Sequence, residues 1–309
     1  MRATFAKTLT EIAREDERVL LLTADLGYMA LEPFAEAVPD QFINVGVAEQ
    51  NMVGIATGLA DGGFIPFLYS IAPFASLRPY EFIRNGPVLH RLPVRIVGVG
   101  AGFEYGTAGP THHGIDDAAA LRPQPGLTIV TPADANQMRS ALLATWELDG
   151  PIYYRIGKEE KVFVPGLDGR FRLGRAEIVR EGDDLAFVVM GALAAEACAA
   201  AERLSEQGIS ATVAVVSAFN PSPIEDLARL AQAHRLLVSV EAQYIDGALG
   251  SLVAETIAEA GTASKLVRIG VRRPPQGRSG SQRFYHALHD LNQAAIVERV
   301  LALVAGEPV

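Results

Sequence analysis

The chain has 309 residues, 49% of them hydrophobic and 20% charged, with a net charge of −9. That length suffices for two domains with proper cores, no apolar run is long enough to span a bilayer, and the acidic balance speaks against nucleic acid, whose phosphates need a basic surface. A single cysteine, Cys198, excludes an internal disulfide framework, and its alanine-rich setting predicts a small buried hydrophobe.

The N-terminal stretch MRATFAKTLTEIARED is amphipathic and carries acids early, so it reads as a first helix and not as a targeting peptide. A cytoplasmic protein is the expectation. Short β-branched runs then alternate with helical stretches, the pattern of parallel βαβ units: RVLLLTAD, FINVGV, FIPFLYS, PVRIVGVGAG, LTIVTPAD and PIYYRIG. A Gly-rich, charged segment follows, expected to be a linker over 166–182 with a small strand pair. A second series, LAFVVMG, ATVAVVS, LLVSVEA and KLVRIGV, comes after it. The expected organisation is two α/β domains, 1–165 and 183–309, each a mainly parallel sheet flanked by helices.

In such sheets functional groups collect beyond the carboxyl ends of the strands. By that rule Asp25, Glu49, Tyr69, the loop after Gly100 and Arg155 are candidates in the first domain. The SAFNPSP loop and Glu241 are candidates in the second. Glu49 opens a helix whose apolar residues Met52, Ile55, Ala56 and Leu59 recur at helical spacing. A first-turn acid is ordinarily a helix-stabilising one. Here, however, the tract around it is nearly free of charge, so the carboxyl group is expected on a buried face, where it could serve as a reagent. The loop GVGAGFEYGTAGPTHHGIDD adds glycines that permit close approach of a ligand, and two histidines, His112 and His113. Adjacent histidines without further ligands at suitable spacing make a poor metal pair.

Taken together, VGVAEQNMVGIATGLA, GFIPFLYSIAPFASLRPYEFIRN, GPTHHGIDD, LTIVTPADANQ and RIGK resemble the thiamine-diphosphate enzymes of the transketolase group. The likeness is to the pyrimidine-binding domain followed by the C-terminal domain, and LLVSVEAQYIDGALGSLVAE extends it through the second half. The resemblance implies that Glu49, in the AEQ motif, contacts the aminopyrimidine of the cofactor and activates it. It implies aromatic stacking on that ring by residues among Phe67, Tyr69 and Phe74, with Tyr69 and Phe74 favoured. It implies Asp25 near the cofactor, and His112, with His113 beside it, reaching the sugar. It further implies Arg155 on a substrate phosphate, with Arg78 a weaker candidate for the same region.

Two positions depart from the family. A histidine after the VRIVGV-like strand and an acid before GPTH are replaced by Gly100 and Ala108, which implies a modified donor or acceptor sugar. A larger departure is the lack of the GDG…N site that holds Mg²⁺ and the diphosphate. The GDD at Gly182 stands in the wrong place for it. The resemblance therefore implies a split enzyme: this chain as C-terminal subunit, a separate N-terminal subunit holding the diphosphate and Mg²⁺, and contact with a second copy of this chain in an α2β2 heterotetramer. The expected reaction is transfer of a two-carbon ketol unit from a ketose, phosphorylated in this reading, to an aldose. A deoxyxylulose-phosphate-synthase-like enzyme, an oxo-acid dehydrogenase β-type subunit and a non-catalytic paralogue used in assembly are the alternatives.

Overall fold

Each β-branched run of the first half becomes a strand in the computed structural model, which describes residues 1–275 and 277–305. In order these are β1 Val19–Thr23, β2 Phe42–Asn44, β3 Ile65–Ile71, β4 Arg95–Val99, β5 Thr128–Val130 and β6 Ile152–Ile156. The second half adds β7 Ala176–Arg180, β8 Leu185–Met190, β9 Ala211–Val216, β10 Ala218–Phe219, β11 Leu236–Tyr244 and β12 Lys265–Val271. The first sheet runs β10-β5-β6-β4-β3-β1-β2 and is parallel throughout except for β10. Every residue of β1, β3, β4 and β6 is buried, because helices cover both faces. That double cover is why these strands read as continuous apolar runs.

The second sheet runs β12-β11-β8-β9-β7, with β7 antiparallel at one edge. The strand pair expected within 166–182 does not form. Ala176–Arg180 instead pairs with the exposed edge of β9, whose free backbone groups accept a strand more readily than a lone hairpin would form. The two domains also share backbone bonds: β10, which follows β9, adds to the first sheet through Ala218 opposite Val130 and Phe219 opposite Ile129.

Cys198 is half-buried against the second core, and its burial pushes the thiol pKa up to about 11. No helix among the described residues is long and apolar enough to cross a membrane.

Candidate active site

The loops after β1, β2, β3 and β4 all leave the carboxyl edge of the first sheet, and five side chains meet there. After β2 the chain turns through Gly46, at φ +75°, and enters the helix Glu49–Asp61 with Glu49 as its first residue. Met52, Val53 and Ala56 bury the inner face of that helix, and Glu49 is drawn in with them, only 4% exposed. The charge is compensated from the turn after β3. Arg78 Nη1 donates to Glu49 Oε1 at 2.9 Å and Oε2 at 3.0 Å, and Ser70 Oγ donates to Oε1 at 3.3 Å. The Arg78 guanidinium lies over the ring of Phe74, 3.6 Å from its centroid. Phe74 in turn meets His112 edge-on, with ring centroids 5.0 Å apart. His112 is half-buried, and its Nδ1 pairs with the Thr111 hydroxyl at 3.0 Å.

Phe67 and Tyr69 are not at this cluster. Side chains alternate across a strand, and Ser70 of β3 is the one that reaches Glu49. Phe67 and Tyr69 therefore face the opposite side, buried beneath the N-terminal helix. Tyr69 stacks on Phe5 at 6.0 Å and Phe67 on Tyr154 at 6.3 Å. The expectation that Tyr69 stacks on a cofactor ring fails on this parity, and Phe74 is the ring that remains. Asp25, on the loop after β1, is exposed and joins two loops: its N–H donates to Asn44 Oδ1 at 3.1 Å and its Oδ1 accepts from Asn44 Nδ2 at 3.0 Å.

The loop after β4 folds back on itself. Gly102 and Gly114 exchange backbone bonds at 2.8 and 2.9 Å. Gly100, at φ +83°, has the ring of Tyr105 packed where a side chain would stand: a Cβ there would lie 2.1 Å from it. The space that a histidine would use is thus filled. His113 turns inward, between Phe103 at 5.1 Å and Tyr285 at 4.6 Å, with no hydrogen-bond partner for either ring nitrogen. Burial lowers its pKa. His113 is a core residue, and the expectation that it binds substrate is corrected.

Arg155 is held between the two domains. It is 4% exposed, its Nε donates to both oxygens of Asp117 at 3.2 and 3.0 Å, and its Nη2 donates to the carbonyls of Gly114 at 2.7 Å and Ala242 at 3.2 Å. These bonds take Nε and Nη2 and leave Nη1 without a hydrogen bond among the described residues. Asp117 also accepts from Tyr153 Oη at 2.5 Å and Gln243 Nε2 at 2.6 Å. This buried network fixes the histidine loop against the second domain. Asp117 was visible as an acid in THHGIDD, but its partner Gln243 stands 126 residues away, beyond any local pattern. Glu241 is a helix-capping acid: its carboxylate accepts the amides of Leu249 and Gly250, each at 2.8 Å, and burial raises its pKa to about 7 against their pull.

Comparison with known proteins accounts for both halves of the chain. Residues 1–161 match the family model described as "Transketolase, pyrimidine binding domain", and residues 174–296 match "Transketolase, C-terminal domain". The chain is 34% identical over 304 residues to the "Putative transketolase C-terminal section" of Methanocaldococcus jannaschii, covering 97% of this chain and 95% of that one. It is 36% identical over 273 residues to the "6-deoxy-6-sulfo-D-fructose transketolase subunit SqwH" of a Clostridium species, covering 88% and 84%. Among solved structures, "Split gene transketolase, inactive beta4 tetramer" superposes with a TM-score of 0.87 at 34% identity, over 97% of this chain and 96% of that one. With both halves matched in order, the chain belongs to the transketolase family, carrying its pyrimidine-binding and C-terminal domains.

Proposed function

We propose that this chain is the pyrimidine-side subunit of a two-chain transketolase, which moves a two-carbon ketol unit from a ketose to an aldose. The observation that carries this reading is the placement of Arg78. A flat, N–H-donating group lies on the Phe74 ring while bonding to the buried carboxylate of Glu49. An aminopyrimidine needs the same two contacts, a face to stack on and a carboxylate to share a proton with, so Glu49 and Phe74 fit thiamine diphosphate. When bound, that cofactor supplies the electron sink that allows a carbon–carbon bond beside a ketone to break. The chain's own part is to hold the ring. Glu49 exchanges a proton with its N1′ nitrogen, Phe74 supports one face, and burial keeps water from the carboxylate. His112, with Nδ1 held by Thr111, presents Nε2 toward a sugar oxygen.

Residues 1–165 form the pyrimidine half in this reading and 183–309 the second domain, with β7, from the segment between them, added to the second domain's sheet. The diphosphate and Mg²⁺ belong to a separate N-terminal subunit, and two copies of each chain assemble as α2β2. Tyr28, Met29 and Val47 support a partner at this edge. They are exposed by 71%, 91% and 73%, on the two loops that Asp25 and Asn44 tie together. The name of the similar split-gene protein, an inactive tetramer of β chains, points the same way.

The test is co-expression with the candidate partner, followed by assay of ketol transfer with thiamine diphosphate and Mg²⁺. Transfer by the pair, none by this chain alone, and loss on Glu49→Ala are expected. Equal rates for Glu49→Ala and wild type would sink the role of Glu49.

A further inference from the structure

In the chain by itself Arg155 is bonded to Asp117, Gly114 and Ala242, and Arg78 is paired with Glu49. A different supply of positive charge lies in the second domain. From Gly261 to His289 the sequence carries Lys265, Arg268, Arg272, Arg273, Arg278 and Arg283 and no acid, in a chain whose net charge is −9. This basic segment does not lie far from the chemistry. Gly280 N donates to the Gly106 carbonyl at 3.3 Å, and a Cβ on Gly106 would stand 2.5 Å from the Gly280 carbonyl, so the two backbones touch. Ser279 Oγ would lie 3.9 Å from a Cβ on Gly109, and Gly109 accepts the backbone N–H of His112 at 3.0 Å. The contact is also anchored: Tyr285, stacked on Phe103 at 4.8 Å, donates its hydroxyl to the Arg278 carbonyl.

Arg278 is thereby fixed at its backbone beside the turn that carries Ala108 and His112, while its side chain remains exposed. Arg283, the second residue of the helix Gln282–Leu288, is exposed as well. Among the described residues neither guanidinium has an ion-pair or hydrogen-bond partner. Arg268, by contrast, is committed to the Ile245 carbonyl and Asp246. The turn itself adds no negative charge to oppose them, since Ala108 stands where an acid is expected in the family. A long side chain with a planar fork of donors, uncommitted and locally unopposed, is suited to a tetrahedral oxyanion. Uncompensated positive charge at the rim of a site also draws anionic substrate toward it.

The geometry points to Arg278, assisted by Arg283, as the residue that recognises the terminal oxyanion of the sugar, a phosphate ester or a sulfonate, at the mouth of the site. The second domain then supplies specificity as well as structure. This rests on the transketolase reading and deepens it. The test uses the assembled two-chain enzyme with three ketoses of equal carbon number: one phosphorylated, one sulfonated and one without an anionic group. In Arg278→Ala the KM advantage of an anionic ketose over the plain one should shrink roughly tenfold or more, and in Arg278→Glu it should reverse, whereas Arg278→Lys should restore part of it. Whichever of the two anions loses its advantage identifies the group recognised. Raising ionic strength should erode that advantage in wild type more than in Arg278→Ala. Arg203→Ala, whose exposed side chain pairs with Glu206, is the control. An anionic-to-plain KM ratio in Arg278→Ala and Arg278→Glu equal to that of wild type overturns the assignment and leaves the transketolase reading intact. A wild-type pair that transfers no ketol unit from any of the three overturns the reading and this inference with it.

Discussion

Arg78 and Glu49 form an ion pair of unequal partners: the carboxylate is 4% exposed and the guanidinium 43%. The acid is fixed by its helix, while the arginine reaches it from a turn and can leave toward solvent. In the chain by itself, the cation neutralises a charge that would otherwise be buried alone. It also occupies the face of Phe74 that a cofactor ring would use, so the pair behaves as a removable plug.

Removal of that plug should be visible in binding. In the assembled enzyme, Arg78→Ala should bind thiamine diphosphate at least as tightly as wild type in a fluorescence titration, because no side chain competes for Phe74 and Glu49. The same substitution should lower the stability of the isolated chain by about 1 kcal/mol, the scale of a half-exposed charged hydrogen bond. A tenfold loss of cofactor affinity would contradict the plug.

Glu49→Gln keeps the shape of the side chain and one acceptor oxygen but cannot carry a proton to and fro. Ketol transfer should fall by about 10² to 10⁴, the usual contribution of a positioned acid–base group. The measurement is kcat at saturating cofactor, so that weaker binding is not mistaken for slower chemistry.

Arg155 gives the clearest separation between structure and recognition. Arg155→Ala strands Asp117 in the core and should destabilise the fold by about 3–5 kcal/mol in urea denaturation. Activity should fall with the folded fraction, and the KM for an anionic sugar should hold in the molecules that remain folded. A tenfold rise in KM at undiminished stability would place Arg155 at the substrate.

Stability should also depend on pH through Glu241. Its folded pKa is raised to about 7 from an ordinary value of 4.5. Between these values the folded chain holds a proton that the unfolded chain releases, so this contribution is fully present below about pH 4.5 and is lost as pH rises through about 7. Glu104, whose pKa burial likewise raises to about 7, adds a slope of the same sign. Glu241→Gln should therefore reduce the loss of stability between pH 5 and 7.5 without abolishing it, as measured by denaturation at each pH.

The strands were legible because doubly covered parallel strands are continuous apolar runs, and β3, β4 and β6 could be placed from composition alone. Glu49 was legible for the opposite reason, as a charge in a tract that otherwise has none. What local sequence could not carry was direction. Phe67, Tyr69 and Ser70 are near neighbours in sequence, yet only strand parity tells which of them sees Glu49. His112 and His113 are adjacent, and one faces Phe74 while the other faces Phe103. The bonds of Arg155 could not be read because its partners, Asp117 and Ala242, arrive from a distant loop and another domain. The basic segment beside Gly106 escaped notice because nothing in its own sequence says what it touches.

The two residues of β10 have a consequence for how substrate arrives. Because Ala218 and Phe219 hydrogen-bond into the sheet of the other domain, the domains are stitched through their backbones and cannot swing apart without tearing a strand pair. In the two-chain reading proposed above, opening and closing around the sugar would then fall to the seam between subunits. On that reading access to the reaction becomes a matter of assembly, and a chain that has not met its partner is an unfinished doorway with no hinge.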